Sequence, residues 1–337
     1  MPKYPTEKFV VLIGDVDMLK IGILGGADIA FRMFLPALNE SKGTECVGVA
    51  SRTKSKRDRF AADYHVPVYE TYNEIIENPI VDIVYIPLPP ALHYQWAKKA
   101  LEYNKHVFLE KPSTTSYEES KDLVELASAK GLVLQENYMF QFHSQLQYIK
   151  ELLRNDRIGN IHLIKSSFGF PMRSENDFRY NKDLGGGVLL DAGGYVVKLA
   201  TLMLGNTIKV TSAVSNLSEI FGVDIFGSVS FVNSAGLVCQ GSFGIDCHYQ
   251  CSLEVWGKKG KLFTNRIFTA PPGYEPVFTI EDANGTNTIK LAADKHFFHS
   301  IEKFVLAVTD DNIREKMYTD LLLQAQLVDE IKTAEIY

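Results

Sequence analysis

From residue 19 to residue 137 the sequence alternates short β-branched runs with segments of helical period, and that order permits few folds. "LKIGIL", "TECVGVAS", "VDIVYIPLP", "KHVFLEKP" and "LVLQEN" read as buried strands. Between them "DIAFRMFLPALNES", "SKRDRFAADYH", "YNEIIENP", "ALHYQWAKKALEY" and "SYEESKDLVELASAKG" read as helices. Repeated strand–helix–strand units build a parallel sheet, because parallel neighbours need crossover connections and the crossovers become helices. Ser116, with Glu119 three residues on, carries a capping-box signature for the last of these helices, and Gly131 stands at its end.

After about residue 137 the pattern changes. One amphipathic helix, "HSQLQYIKELLRND", leads through a strand and a Gly-rich loop to another helix. Then come "IKVTSAVSNL", "DIFGSVSFVN", "GLVCQGSFGI", "QCSLEVWG" and "GKLFTN", separated by short polar turns, as in an open antiparallel sheet. Two helical stretches close the chain. The expected fold is therefore an α/β doubly wound parallel sheet of Rossmann type over 18–137, followed by an α+β domain, 138–337, on an open, mainly antiparallel sheet. Residues 1–17 fit neither and read as an N-terminal extension, with Met18 an alternative start.

Composition narrows the function. With 337 residues the chain can bury a large core, and a net charge of −6 argues against a partner with a phosphate backbone, so no nucleic acid is expected. The early apolar run Phe9–Ile13 is too short to span a bilayer, and acidic neighbours make it a poor signal sequence. Four cysteines are no disulfide framework. A cytoplasmic protein without membrane association is the expectation. "DCHYQCSLEVW" alternates like a strand and offers no second ligand pair, so no metal site is expected.

"IGILGGADIA" follows a strand and opens a helix, the context of a dinucleotide-binding turn. Small residues there let backbone amides approach a pyrophosphate at a helix N-terminus. Gly25, Gly26, Ala27, Asp28 and Ile29 are the candidate contacts, although Ala27 and Ala30 stand where the usual pattern has glycine. At the end of the second strand an acid would bind the ribose hydroxyls of NAD, whereas a 2′-phosphate requires cations. The chain reads "ASRTKSKR", with Ser51 and Arg52 and no acid, so NADP(H) is preferred over NAD(H).

Glu110-Lys111-Pro112 ends the strand "HVFLE", on the side of a doubly wound sheet where ligands bind. "LGGGVLLDAGGYVVKLATLML" places Asp191 and Tyr195 four apart, on one helix face and able to act on one ligand. An alternative is a core tyrosine whose hydroxyl is satisfied by Asp191.

Taken together, the nucleotide turn, "YIPLPPALHYQWAKKAL", the Glu-Lys-Pro motif, "QENYMFQFH", "GGGVLLDAGGY" and "WGKKGKLFTNRIFTAPP" resemble the Gfo/Idh/MocA family of NAD(P)-dependent oxidoreductases. The resemblance implies that Lys111 is the catalytic lysine and that a cis bond precedes Pro112. Asp191 matches the family's motif aspartate, and Tyr195 the position that is tyrosine in a subgroup with glucose–fructose oxidoreductase, dihydrodiol dehydrogenases and sugar-nucleotide ketoreductases. Pro87, Leu88 and His93 match the loop and helix start covering the nicotinamide side, and Glu110 and Lys111 join them as cofactor contacts. Gln141 and Ser144 depart from the family's frequent arginine and proline. Arg179 reads either as an anion-binding residue beside the active site or as a loop surface charge.

The implied chemistry is hydride transfer to or from a carbinol or ketone carbon, with Tyr195 the general acid and Lys111 orienting the carbonyl and lowering the tyrosine pKa. Expected substrate contacts are Lys111, Arg179, Asp191 and Tyr195. A sugar or sugar nucleotide is the first choice of substrate, a trans-dihydrodiol or free aldose the second, and a non-catalytic NADP(H) sensor the reading from another class. Family analogy implies a homodimer or homotetramer through sheet faces.

Overall fold

The computed structural model describes residues 18–333 and 335–336, so the expected extension 1–17 lies outside the described residues. The first half forms a six-stranded sheet of β1 (Leu19–Leu24), β2 (Thr44–Ala50), β3 (Val68–Tyr69), β4 (Ile83–Ile86), β5 (His106–Glu110) and β6 (Leu134–Asn137). Its order is β3-β2-β1-β4-β5-β6 and all its pairings are parallel. The order reverses between β1 and β4, which opens a crevice at their C-terminal ends.

The crossovers are α1 (Leu35–Leu38), α2 (Lys54–Tyr64), α3 (Tyr72–Ile76), α4 (His93–Glu102) and α5 (Tyr117–Lys130). A π-helical turn, Ala30–Phe34, leads into α1, where Pro36 has no N–H to continue a tight ladder. At α5 the Ser116 hydroxyl accepts from Glu119 N at 3.3 Å, but the Glu119 carboxylate turns to Thr115 instead of closing the box, and Gly131 ends the helix at φ 65°.

α6 (Ser144–Arg154) leads to β7 (Ile161–Phe170), and a π-helical turn, Leu189–Gly193, leads into α7 (Gly194–Leu204). β8 (Lys209–Leu217), β9 (Asp224–Val232), β10 (Val238–Ile245), β11 (Gln250–Gly257), β12 (Gly260–Asn265), β13 (Val277–Asp282) and β14 (Gly285–Lys290) follow. With β15 (Glu335–Ile336) they form a nine-stranded sheet ordered β14-β13-β12-β11-β7-β10-β9-β8-β15. It is mainly antiparallel, but β7–β10 and β8–β15 are parallel. The sequence concealed this, because β7 inserts between two later meanders.

The stretch Lys182–Leu204 is long and apolar enough to cross a membrane, yet 78% of its most apolar window is buried inside the protein. α7 is thus a core helix between the second sheet and the C-terminal helices.

α8 (His296–Thr309) and α9 (Asp311–Lys332) depart from the expected 138–337 unit by returning to the first sheet. Phe304 packs on Phe108 at 5.2 Å between ring centroids, Gln135 Nε2 donates to Ser300 Oγ at 2.8 Å, and the Tyr318 hydroxyl donates to Leu132 O. One apolar cluster consequently runs from Ile23, Phe34 and Phe108 through to Ile164, Phe243 and Leu253. Each large apolar side chain buried there contributes about 1.5–3 kcal/mol.

Burial lowers the pKa of four histidines, to about 4 for His93, His106 and His296, and downward for His143. Nδ1 of His106 and of His143 accepts a backbone N–H, which also requires the neutral ring. His299 shifts the other way through its hydrogen bond to Asp294. Unfolded, each histidine titrates near ~6.5, so below that pH the four make the unfolded chain bind more protons, and stability falls as pH drops from ~6.5 toward ~4. His299 opposes this, and so do Glu110, Glu136 and Asp224, whose burial raises their pKa, toward the acid end of that window. Urea midpoints are expected to drop between about pH 7 and about pH 4.5; constant midpoints would contradict the assignment.

Candidate active site

A cavity of about 940 Å³ occupies the crevice and extends onto the second sheet. At its base β1 is followed by Gly25, whose φ of 106° turns the chain while its N–H donates to Ala50 O at 2.7 Å. A Cβ on Gly25 would lie 2.7 Å from Leu88 Cδ2, so the turn and the Leu88 loop require glycine there. Gly26, Ala27, Asp28 and Ile29 also line the cavity, and the helix begins at Asp28. The Asp28 side chain pairs with Arg59 at 2.9 Å, and that hydrogen bond lowers its pKa.

The basic run after β2 is not uniformly available. Lys54 is paired with Asp58 and Arg57 with Glu70. Arg52 and Lys56 line the cavity without an ion pair among the described residues. Ser51 is buried, and its hydroxyl accepts from Thr53 N at 3.3 Å.

Pro87 and Leu88 line the cavity at the exit of β4. His93 does not. It is fully buried behind them, with Nδ1 2.7 Å from Pro112 O and Nε2 2.7 Å from Leu88 O. A neutral ring donates to only one of these carbonyls, so His93 braces two cavity loops and is placed for no direct cofactor contact.

Lys111 follows β5 and is joined to Pro112 by a cis bond. Its Nζ donates to Asp191 Oδ1 at 2.6 Å and Asp191 O at 3.1 Å, and lies 4.8 Å from the Tyr195 ring centroid. Asp191 sits in the π-helical turn, a widened turn of the kind often found at functional sites. Its Oδ2 accepts from Arg179 Nε at 2.5 Å. Burial disfavours the Asp191 carboxylate, but the charges of Lys111 and Arg179 outweigh this and hold its pKa well below the usual range.

Arg179 also pairs with Asp177 at 3.0 Å. Its guanidinium is committed to two carboxylates, which weakens the expectation of a free anion contact and makes it a brace for Asp191. Glu110 lines the cavity, with Oε1 accepting from Tyr85 at 2.9 Å and Asn137 at 2.8 Å, and burial raises its pKa.

Tyr195 also lines the cavity, but its hydroxyl donates to Met139 Sδ at 3.5 Å and not to Asp191. Lys111 does not lower its pKa as expected. Burial, then the charges of Glu110 and Asp191, push it well above the ordinary value, so the phenol stays protonated through neutral pH.

Sequence reasoning missed Tyr249, Arg266 and Thr269, which the second sheet brings to the same cavity. Arg266 NH1 donates to the Tyr249 hydroxyl at 3.2 Å, and that hydroxyl lies 2.6 Å from Thr269 Oγ1. Arg266 holds a φ of 60°, a strained state for a non-glycine residue and one that clusters at functional sites. Among the described residues no group of three or more His, Cys, Asp or Glu is placed to hold a metal.

A doubly wound sheet, a glycine turn at its switch point and a braced lysine at a strand exit define the class of dinucleotide-dependent oxidoreductases. Residues 19–138 match the oxidoreductase family with an NAD-binding Rossmann fold, and residues 146–263 match the GFO/IDH/MocA C-terminal domain. The chain belongs to the Gfo/Idh/MocA family. It is 36% identical over 322 residues to the dTDP-3,4-didehydro-2,6-dideoxy-alpha-D-glucose 3-reductase of Saccharopolyspora spinosa, covering 94% of this chain and 97% of that one. The Streptomyces violaceoruber enzyme of the same name is 37% identical over 95% of this chain and 96% of its own. The crystal structure of KijD10, a 3-ketoreductase from Actinomadura kijaniata in complex with NADP and TDP-benzene, superposes with a TM-score of 0.92 at 36% identity, covering 95% and 99% of the two chains.

Proposed function

We propose that this chain is an NADP(H)-dependent ketoreductase acting on a sugar nucleotide. The observation that carries the reading is one continuous cavity joining Lys111, Asp191 and Tyr195 to Arg173 and Arg266. Neither arginine has a carboxylate within ion-pair distance among the described residues, so both can face a diphosphate. Relatives named as dTDP-sugar 3-reductases support the same substrate class.

The cradle of Gly25 and Gly26, with Ser51, Arg52 and Lys56 beyond it, fits a dinucleotide bearing a 2′-phosphate. When bound, that cofactor supplies the hydride. The chain's own residues handle position and proton. Lys111, held by Asp191, faces the carbonyl oxygen on which negative charge develops, and the protonated Tyr195 hydroxyl leaves Met139 to donate to that oxygen.

Arg52→Ala is expected to raise the KM for NADPH by about 10- to 100-fold, the worth of one charged hydrogen bond, with little change for NADH. Equal losses with both cofactors would remove Arg52 from the 2′-phosphate site.

The substrate is tested by following NADPH absorbance with dTDP-linked keto-sugars, free aldoses and trans-dihydrodiols. The reading requires turnover of the nucleotide sugar, and a roughly tenfold rise in its KM in Arg266→Ala. Turnover of only the free compounds would favour the aldose or dihydrodiol alternative, and NADPH binding without turnover the sensor.

A cytoplasmic homo-oligomer completes the proposal. The outer face of the second sheet exposes Val214, Phe226, Trp256 and Val277, an apolar set that a second copy would cover. A monomer in sedimentation would remove that part.

A further inference from the structure

Behind the Lys111–Pro112 turn lies a smaller cavity of about 10 Å³, whose wall includes Ser113, Glu136, Tyr138 and Gln324. Three oxygens of that wall, Glu136 Oε2, the Tyr138 hydroxyl and Gln324 Oε1, are buried and have no hydrogen-bond partner among the described residues. The side chains belong to residues only 7%, 0% and 1% exposed. Burial, then the charge of Glu136, pushes the Tyr138 pKa well above the ordinary value, and the neighbouring Gln324 amide opposes this, which places the three groups side by side. Native interiors rarely leave three such atoms together unpaired.

Their chemistry specifies an occupant. A phenol offers one O–H, whereas a carboxylate oxygen and an amide oxygen only accept, so the wall presents one donor and two acceptors. One water molecule is the complement: it accepts from Tyr138 and donates to Glu136 and Gln324. About three hydrogen bonds are usual for a buried water, and about 10 Å³ is the least space that holds one.

We infer that this cavity binds a single structural water, and that the water with Glu136, Tyr138 and Gln324 forms a hub that positions Lys111 relative to Tyr195. The opposite end of each side chain reaches that pair. Glu136 Oε1 accepts from Ser113 N at 2.8 Å, two residues beyond Lys111. Gln324 Nε2 donates to Gly194 O at 2.8 Å, in the residue before Tyr195. The Tyr138 ring meets the Tyr195 ring edge to face, with centroids 5.2 Å apart.

The three arms come from separate elements, β6, the segment after it and α9, and the water is what connects them. Packing confirms how close the parts lie, since a Cβ on Gly194 would run into the Tyr138 hydroxyl. Burial raises the Glu136 pKa, against the opposing influence of buried Lys198 and the Ser113 N–H. A displacement of about 1 Å in such a support costs up to ~100-fold in rate.

The kinetic part of the test rests on the ketoreductase reading, and the crystallographic part does not. In a crystal structure of the full chain at about 1.5 Å, one ordered solvent peak is expected about 2.7–3.0 Å from each of the three oxygens. In Tyr138→Phe the peak should be lost or displaced, with kcat down roughly 10- to 100-fold and the KM for NADPH within about twofold of the parent. The isotope effect on kcat with NADPH deuterated at the transferring position should rise, because the hydride step has slowed; loss of global stability alone would not raise it. Gln324→Leu should act in the same direction if Tyr138→Phe folds poorly. A dry cavity in the parent, or variants with the parent kcat and isotope effect, would overturn the proposal. Should the parent reduce no keto-sugar, the ketoreductase reading falls, and the solvent peak with the shift of Lys111 against Tyr195 in Tyr138→Phe still decides the matter.

Discussion

Lys111→Ala is expected to keep NADPH binding and lose about 10²- to 10⁴-fold in turnover, the range for removing a positioned proton-handling or charge-stabilising group. The cradle at Gly25 and Gly26 and the cations Arg52 and Lys56 are untouched by this change, so cofactor fluorescence titration should give a similar Kd. The loss arises because Lys111 Nζ, 4.8 Å from the Tyr195 ring and 2.6 Å from Asp191, is the cation nearest the proposed carbonyl position. Single-turnover kinetics separates the two effects. Near-parental turnover with intact NADPH binding would end the assignment of Lys111.

Asp191→Ala is expected to be the most destabilising change at the site. It leaves two cations, Lys111 and Arg179, around a space that held their shared carboxylate, in a pocket where both Asp191 partnerships are at least three-quarters shielded from solvent. Removing one partner of a buried ion pair costs about 3–5 kcal/mol. The pH dependence follows from the depressed Asp191 pKa. Its stabilisation is present above the unfolded value of about 3.9 and is lost as pH falls toward the lower folded value. Urea unfolding of parent and Asp191→Asn should therefore differ most near neutrality and converge in acid. A gap that widened in acid would contradict the ion-pair account.

What could be read from the sequence was what is local. Strand and helix periods located nearly every element of the first half, because a parallel sheet buried on both faces writes itself as repeated apolar runs. Lys111, Asp191 and Tyr195 were legible because a charged or polar residue at a strand exit or on an apolar helix demands a partner. Their mutual geometry was not. Asp191 pairs with Lys111 and Arg179 and leaves Tyr195 without a hydrogen bond to it, and the Tyr195 hydroxyl turns to Met139. Arg57 looked as available as Arg52 until β3 brought Glu70 beside it. Arg266 and Tyr249 reach the cavity only through the nine-stranded sheet; Arg266 lay within the family-like stretch "WGKKGKLFTNRIFTAPP", whereas Tyr249 carried no sequence signal.

The return of α8 and α9 to the first sheet bears on how such chains can be recombined. A hybrid cut once near residue 138 would take the last two helices from a different parent than the sheet they cover, breaking the Phe304–Phe108 and Ser300–Gln135 contacts. Substrate preference is better transplanted as a cassette, from the start of α6 to the end of β14, leaving the two closing helices with the nucleotide half. The architecture thus behaves as an insertion within a framework whose beginning and end belong together.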